Sequence, residues 1–152
     1  MTNMNEFISG WMSHRNTLHQ MLEEVTTEQL AFKPWEKGMS VSELILHITG
    51  SMSMFALTVK NSEHTQPGAP KPFATADEFR ANVTAVTEQT VEMLKSLAPE
   101  QLDKLIAFFG NTLPGSALLQ NAKDHEIHHK GQLFTYLRLA GIEKLPFFVS
   151  RG

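Results

Sequence analysis

The sequence predicts an all-α protein of the four-helix-bundle class, and two observations carry this prediction. Four segments place apolar residues at the three- and four-residue spacing of an amphipathic helix, whereas strand-like alternation is scarce. The stretches between them are interrupted by proline and glycine, which helix interiors tolerate poorly. At 152 residues, the chain is expected to form one domain over residues 1–152.

The first helix is expected to run from about residue 3 to 23. Its apolar stripe recurs at spacings of four, three, four and four, which keeps all its members on one face. The stripe consists of Phe7, Trp11, His14, Leu18 and Leu22. We therefore expect His14 to point towards the core.

The second and third helices are expected over residues 40–61 and 76–97. A capping box opens each, Ser40 with Glu43 in one case and Thr75 with Glu78 in the other. The second helix is apolar around much of its circumference and should be among the more buried elements. Residues 61–74 are expected to form a surface loop. Residues 98–115 are expected to be irregular, with 105–109 a short strand or an extended packing segment.

The fourth helix is expected from about residue 114 to 140, with Gly141 as its stop. Its predicted inward stripe places two histidines among residues that a bundle would bury. The stripe consists of Leu118, Ala122, His125, His129, Leu133, Tyr136 and Ala140.

His125 and His129 lie four residues apart, so their imidazoles stack on one helix face and can share a metal ion. Residues 125–129 (HEIHH) also match H-E-x-x-H, the zinc signature that metalloproteases carry on a helix, with Glu126 in the general-base position. Those proteases take a third ligand downstream. After His129 this chain has no histidine, and its only acidic residue is Glu143, just past the helix stop. The spacing therefore argues against a protease.

A third ligand can come from His47, in the middle of the second helix. By spacing it lies in line with Leu44, Ser51 and Met54, so we expect it to be able to face the bundle interior. The alternative is a core histidine hydrogen-bonded to a neighbouring carbonyl or hydroxyl group. Beside an inward-facing histidine pair, shared coordination is favoured, because burying three unrelated imidazoles would cost desolvation.

At these residues the chain resembles the DinB-like proteins of the wider DinB and YfiT group. The resemblance rests on the segments 44–48 (LILHI) and 125–133 (HEIHHKGQL), and on 32–34 (FKP) and 40–43 (SVSE) before the first histidine. It implies a four-helix bundle in which His47, His125 and His129 bind one divalent cation. Lys130 stands where the family often has arginine, and Met39 where an aromatic residue is frequent, with Trp35 nearby.

For activity, the resemblance implies a metal-dependent hydrolase that uses zinc or nickel, with iron as another candidate. Some relatives are thiol-dependent transferases or isomerases, which is the first alternative. The second is a non-catalytic bundle in which a metal, or a hydrogen-bonded histidine cluster, stabilises the fold or a dimer. Three imidazoles suit all three metals about equally well.

Several other residues stay open at the level of sequence. Glu126 is either the general base or an exposed or supporting carboxylate. His128 is expected to lie beside the metal ligands or to contact them without binding the metal itself. His14 is either a satisfied core histidine or a substrate contact or fourth ligand. His19 and His64 are expected to face solvent.

Composition excludes several further kinds of site and partner. The absence of cysteine excludes disulfides, thiolate ligands and a cysteine nucleophile. Net charge is −3 with both signs interspersed, which gives no reason to expect a nucleic-acid or membrane partner. The amino-terminal residues lack the pattern of a secretory signal, and no run of about 18 apolar residues occurs. We expect a soluble cytoplasmic protein with a small-molecule substrate, and a homodimer is possible.

Overall fold

The computed structural model describes residues 3–150. The two residues at each end of the predicted 1–152 domain lie outside the described residues. The described chain forms four long helices, two short helices and one β-hairpin. The elements are α1 (Met4–Leu22), α2 (Thr27–Leu30), α3 (Val41–Asn61), α4 (Ala76–Lys95), α5 (Pro99–Asp103), β1 (Leu105–Phe108), β2 (Asn111–Pro114) and α6 (Gly115–Leu139).

The long helices begin where the capping residues predict. Ser40 and Glu43 form both bonds of a capping box, with the Ser40 hydroxyl accepting from the Glu43 amide and the Glu43 carboxylate accepting from the Ser40 amide. Thr75 caps α4 by accepting from the Glu78 amide. Each cap satisfies amides that the first helical turn leaves without a partner. The prediction of an all-α fold with four main helices is confirmed.

The four long helices form a ring in the order α1, α4, α3, α6, and the most extensive packing is between α3 and α6. Their apolar faces make two clusters of buried side chains. One cluster is built around Leu18, Ile45 and Leu133, and the other around Trp11, Phe55 and Leu118. Burial of these faces is the main source of bundle stability.

All four long helices place buried polar residues between their contributions to the two clusters. These residues are Arg15 and Thr17 on α1, Thr49 on α3, Thr87 and Thr90 on α4, and Glu126 and Lys130 on α6. The bundle therefore contains a polar layer, which we define as Arg15, Thr87 and Glu126, between two apolar clusters. Because buried charges must be paired, this layer constrains how the helices face one another.

Two connecting segments are more ordered than their composition predicts. Residues 24–39 contain α2, and the expectation that 98–115 would be irregular is wrong, because this segment holds α5 and the hairpin. Of the two alternatives for residues 105–109, the short strand is confirmed as β1. β1 pairs antiparallel with β2 through a turn in which Phe109 and Gly110 have φ of 47° and 82°. Such turns usually carry Asn or Asp before glycine. The hairpin is therefore difficult to recognise from the sequence, because phenylalanine occupies the position before glycine and each strand has only four residues.

Helix α3 is long and apolar enough, by length and composition alone, to cross a membrane. In the structure its apolar residues pack into both buried clusters. The core helix of a bundle passes the same test of length and hydropathy, so its apolarity is explained by its position between α4 and α6.

The entry into α6 depends on a close approach that only glycine permits. A Cβ on Gly115 would lie 2.5 Å from the Gln101 carbonyl oxygen and 2.9 Å from Val59 Cγ1. We predict that Gly115→Ala lowers the free energy of unfolding by about 1–3 kcal/mol, because backbone must move to make room. Urea unfolding measures the change.

Gly131→Ala in the interior of α6 is the matched control. A Cβ at Gly131 would meet nothing within 4 Å, so alanine should stabilise the protein by about 0.5–1 kcal/mol. A Gly115→Ala protein as stable as Gly131→Ala would contradict the proposed close contact.

Candidate metal centre

Three histidines from two helices meet at the α3–α6 contact. His47 projects from α3, and His125 and His129 project from successive turns of α6. Each histidine offers one ring nitrogen as a ligand atom, and these three nitrogens all lie within 4.8 Å of one another. The ring centroids lie 4.8 Å apart for His47 and His125, 4.7 Å for His47 and His129, and 4.4 Å for His125 and His129. We call these three residues the histidine triad.

The donor positions fit a single metal ion. The Nε2 atoms of His47 and His125 are 3.1 Å apart. Two nitrogens that each bind one zinc ion at about 2.0–2.1 Å in tetrahedral geometry are about 3.3 Å apart. The separation is therefore close to the one that shared coordination requires.

The hydrogen bonds around the triad also differ from those of satisfied core histidines. The polar partner of His47 is another imidazole rather than a carbonyl or hydroxyl group. Within residues 3–150, Nδ1 of His125 is buried and has no hydrogen-bond partner. Carbonyl and hydroxyl partners thus do not account for the placement of the His47 and His125 rings, which supports the metal-binding interpretation over ordinary core histidines.

Gln132 orients one of the rings. His129 Nδ1 lies 2.7 Å from Gln132 Oε1, three residues further along α6. A proton on Nδ1 donated to this oxygen leaves the lone pair of Nε2 free to bind a metal. Gln132 has no role in the sequence-based prediction, although its i+3 spacing from His129 is a signal that could have revealed it.

The surroundings favour the neutral form of two of the triad histidines. The pKa of His125 is lowered to about 4, chiefly by burial and then by the neighbouring histidines His129, His47 and His128, while Glu126 acts in the opposite direction. Burial is also the main cause of the lowered pKa of His47, with a smaller contribution from His129. Neutral imidazoles are the form that binds metal, so few protons compete for the ring nitrogens at neutral pH.

The predicted inward orientation of the triad is wrong in detail. His47 is exposed at the edge of α3, and His125 and His129 are half-buried. The buried residues of α6 at this level are Glu126 and Lys130. The reason is that α6 packs against both α3 and α1, so its core-facing line falls between them and the histidines lie on the α3 side.

Glu126 occupies the bundle interior and both its carboxylate oxygens are engaged. Oε1 accepts from Trp11 Nε1 at 2.9 Å and from Arg15 Nη2 at 2.7 Å, and Oε2 accepts from Arg15 Nε at 2.8 Å. Arg15 Nη1 donates to the Thr87 hydroxyl at 2.9 Å. This two-point ion pair holds α6 against α1 and α4. Glu126 is therefore neither exposed nor free.

Lys130 is also buried, and it links α6 to α1 and to the carboxyl-terminal segment. Its ammonium group contacts His14 Nδ1 at 2.7 Å and donates to the main-chain carbonyl of Phe148. Burial lowers the pKa of Lys130, and Glu126 acts in the opposite direction. The main-chain bond from Ser150 to the Ser13 carbonyl, at 2.8 Å, fixes the same segment against α1.

The structure separates the remaining histidines from the triad. His14 is half-buried on α1 with Lys130 as its partner, and it is not part of the triad. His128 is exposed and its ring contacts that of His129 at 4.8 Å. His64 is exposed as predicted, whereas the prediction that His19 faces solvent is wrong, because it is half-buried between α1 and α4.

Aromatic residues lie next to the triad along α6. The ring of Trp35, which is 58% exposed, meets the edge of Tyr136 at 6.2 Å. Tyr136 is seven residues from His129, two turns along the same helix face. Burial and the charge of Glu43 raise the pKa of Tyr136.

The ion pair yields a stability prediction. Glu126→Ala leaves the Arg15 guanidinium buried without a counter-charge, so we expect the free energy of unfolding to fall by about 3–5 kcal/mol. Denaturant titration followed by circular dichroism measures this. The double variant Arg15→Met/Glu126→Leu removes both charges and should recover most of the loss. Equal destabilisation of the single and double variants would contradict the argument.

His19 yields a pH prediction. Its pKa is lowered by burial and by the charge of Arg15, with Glu126 acting in the opposite direction. The unfolded chain therefore binds the proton more readily, so His19 stabilises the fold fully above about pH 6.5, and this contribution is lost as the pH falls through the lower folded-state pKa. The other charged residues that line this side of the bundle are Glu23, Arg80 and Glu88.

We expect His19→Gln to reduce the loss of stability between pH 7.5 and pH 5. Urea unfolding at both pH values measures it, with the exposed His64→Gln as control. A pH dependence that is the same in wild type and His19→Gln would contradict the assignment.

Comparison with known proteins places these features in a family. The sequence model of the DinB family matches residues 1–151. Protein YjoA of Bacillus subtilis is 38% identical over 154 residues, covering 99% of each chain. YrdA of Bacillus subtilis is 22% identical over 143 residues, covering 91% of this chain and 84% of YrdA.

Solved structures agree. The crystal structure of YjoA, a DinB-like protein, matches with a TM-score of 0.85 and 35% identity, covering 97% of this chain and 100% of that one. A DinB-like protein from Bacillus cereus matches with a TM-score of 0.78 and 23% identity, covering 94% and 95%, which shows the shared fold. This helical bundle with its histidine triad therefore belongs to the DinB family.

Proposed function

We propose that the histidine triad binds one divalent metal ion and that the protein is a metal-dependent hydrolase of a small-molecule substrate. The observation that carries the proposal is the convergence of three imidazoles with no fourth protein ligand among the described residues. Three protein ligands with an open position are typical of catalytic metal sites, whereas structural sites usually have four. Zinc and nickel are the first candidates, and iron is the next.

The metal would supply a polarised carbonyl or an activated water at the open position. The chain's own residues orient the ligands. Gln132 fixes the ring of His129, and the buried ion pair of Glu126 with Arg15 fixes the helix that carries His125 and His129. We propose that Glu126 acts as a positioning residue rather than as the general base, because both its oxygens already accept hydrogen bonds.

A thiol-dependent transferase is the second candidate, and the carboxylates near the triad favour it. Glu126 is engaged by Arg15, and Glu43, one turn before His47, accepts from the Ser40 amide as part of the helix cap. With these two carboxylates engaged, a hydrolase at this site would rely on the metal, rather than on Glu126 or Glu43, to deprotonate water. A thiol that coordinates a metal loses its proton without a protein base. Transfer from a thiol cosubstrate therefore fits the same residues.

A structural role for the metal is less well supported. The triad lies at the edge of the α3–α6 contact, whereas the two helices share a large apolar core that needs no metal. We also propose that the protein works in the cytoplasm, since it lacks cysteine and carries charges of both signs. A homodimer stays a prediction, as does the absence of nucleic-acid and membrane partners.

Metal uptake tests the proposal. Protein without a histidine tag, dialysed against chelator and then against zinc or nickel, should bind about one equivalent, and His129→Ala should abolish binding. Elemental analysis after gel filtration measures the ratio. His128→Ala is the matched control, because His128 is on the same helix and exposed, and it should retain full uptake. Unchanged uptake in His129→Ala would overturn the metal site.

Chelation separates a catalytic from a structural metal. Because the core packs without the ion, we expect the melting temperature of the wild-type protein to change by only a few degrees when metal is removed. Differential scanning calorimetry measures it. A fall of tens of degrees would assign the metal a structural role instead.

A further inference from the structure

A concave surface lies on the α4 side of α3, contains none of the triad histidines and has no role in the proposed metal chemistry. It is a cleft of about 490 Å³ between α3, α4 and the loop at residues 62–75. Small-molecule sites usually have volumes of roughly 300–1,000 Å³. Residues that line it on α3 include Leu46, Gly50 and Leu57, and Val86 and Met93 face them from α4.

The α3 wall of this cleft is unusual for an outward helix surface. Residues 44–59 contain no Asp, Glu, Lys or Arg, although Leu46, Gly50 and Leu57 are only half-buried. Helix faces that contact only water are normally rich in charge. This surface therefore suits contact with something apolar.

The hydroxyl groups that line the cleft on α3 and α4 are already satisfied by the protein. The Ser53 hydroxyl donates to the Thr49 carbonyl at 3.2 Å and lies 3.1 Å from the Thr90 hydroxyl. The Thr90 hydroxyl donates to the Val86 carbonyl at 2.8 Å. These hydroxyl groups have partners without a ligand, so the part of the cleft between α3 and α4 favours hydrocarbon, whereas the exposed Lys71 and Gln89 also line the cleft.

The third wall is a loop that is fixed on both sides. Asn82 of α4 donates to the carbonyls of Lys71 and Pro72, and the Thr65 amide donates to the Thr58 hydroxyl of α3. Prolines 67 and 70 line the cleft from this loop and restrict its backbone. The cleft is thus preformed, which lowers the entropic cost of binding.

Gly50 connects the cleft to the triad. It lines the cleft and lies three residues after His47, a spacing that brings helix positions to about 5–6 Å. A Cβ at Gly50 would meet nothing within 4 Å, so packing does not require glycine there. Glycine is unfavourable in a helix interior, yet here it leaves open space above α3 at a position one turn after His47.

We propose that the cleft binds a hydrocarbon arm of the same substrate whose polar end binds at the histidine triad, with the arm crossing α3 at Gly50. The inference rests on the proposed function and narrows the substrate to small molecules with an elongated apolar arm. A second copy of the chain would be expected to cover a broad face, whereas this cleft is concave and bounded by a fixed loop.

Straight-chain hydroxamic acids test this, because the head group binds metals and the chain length can be varied. Calorimetric titration of the zinc-loaded protein with the acetyl to octanoyl series should show affinity rising by about fourfold for each CH₂ that enters the cleft. Gly50→Leu should abolish this rise when each affinity is expressed relative to that of the same variant for acetohydroxamic acid. Gly131→Leu, also at an open glycine in a helix interior, is the matched control and should keep the rise.

Ala85→Trp offers an independent variant, because Ala85 is exposed on the α4 side of the cleft and distant in sequence from the triad. It should also flatten the dependence on chain length. Retention of the full rise in both Gly50→Leu and Ala85→Trp would overturn the inference.

The outcomes distinguish the cleft from the metal site. Zinc-dependent binding of acetohydroxamic acid with no gain from longer chains overturns the cleft and leaves the proposed function standing. A gain from longer chains in protein that takes up no zinc supports the cleft and overturns the metal chemistry. If light scattering shows a dimer that Ala85→Trp dissociates, and longer chains bring no gain, the face belongs to a second copy and the inference fails.

Discussion

The ion pair between Arg15 and Glu126 is the interaction on which the arrangement of this bundle depends. Both side chains are fully buried, and each would be costly in the interior without the other. Apolar side chains pack in many rotations of a helix, but a two-point hydrogen-bonded ion pair accepts few. The pair therefore fixes the rotation of α6 relative to α1, with Trp11 and Thr87 completing the polar layer.

The rotation of α6 in turn determines which helix each residue next to Glu126 faces. His125 immediately precedes Glu126, and with His129 it is carried to the α3 side, where His47 meets both. Lys130 is carried to the α1 side, where it holds His14 and the carboxyl-terminal segment. Helix α6 thus carries two histidines of the triad on its α3 side and the structural contacts of Lys130 on its α1 side, with the buried Glu126 carboxylate between them.

Helix α3 connects the two candidate binding surfaces. On its α6 side it presents His47, and on its α4 side it forms the apolar wall of the cleft. The absence of charge from residues 44–59 is therefore explained in part by burial and in part by the cleft. A substrate that used both surfaces would have a polar end at the metal and an apolar arm beyond Gly50.

The sequence by itself determined the four main helices and the residues of the triad. The cap residues Ser40 and Thr75 and the spacing of apolar residues are local signals, although only Ser40 of the two forms the complete capping box. The i,i+4 pair on α6 follows from helix geometry alone. The third histidine was predictable because few residues could complete the pair and the family resemblance named one.

Only the tertiary structure decided which way these side chains face and which are engaged. Periodicity assigns a helix one inward stripe, but α6 contacts two helices, so Glu126 and Lys130 took the core positions expected for histidines. The partner of Glu126 lies 111 residues away on α1, a separation to which no local pattern is sensitive. The cleft likewise arises from α3, α4 and a loop meeting in space, and no one of them specifies it alone.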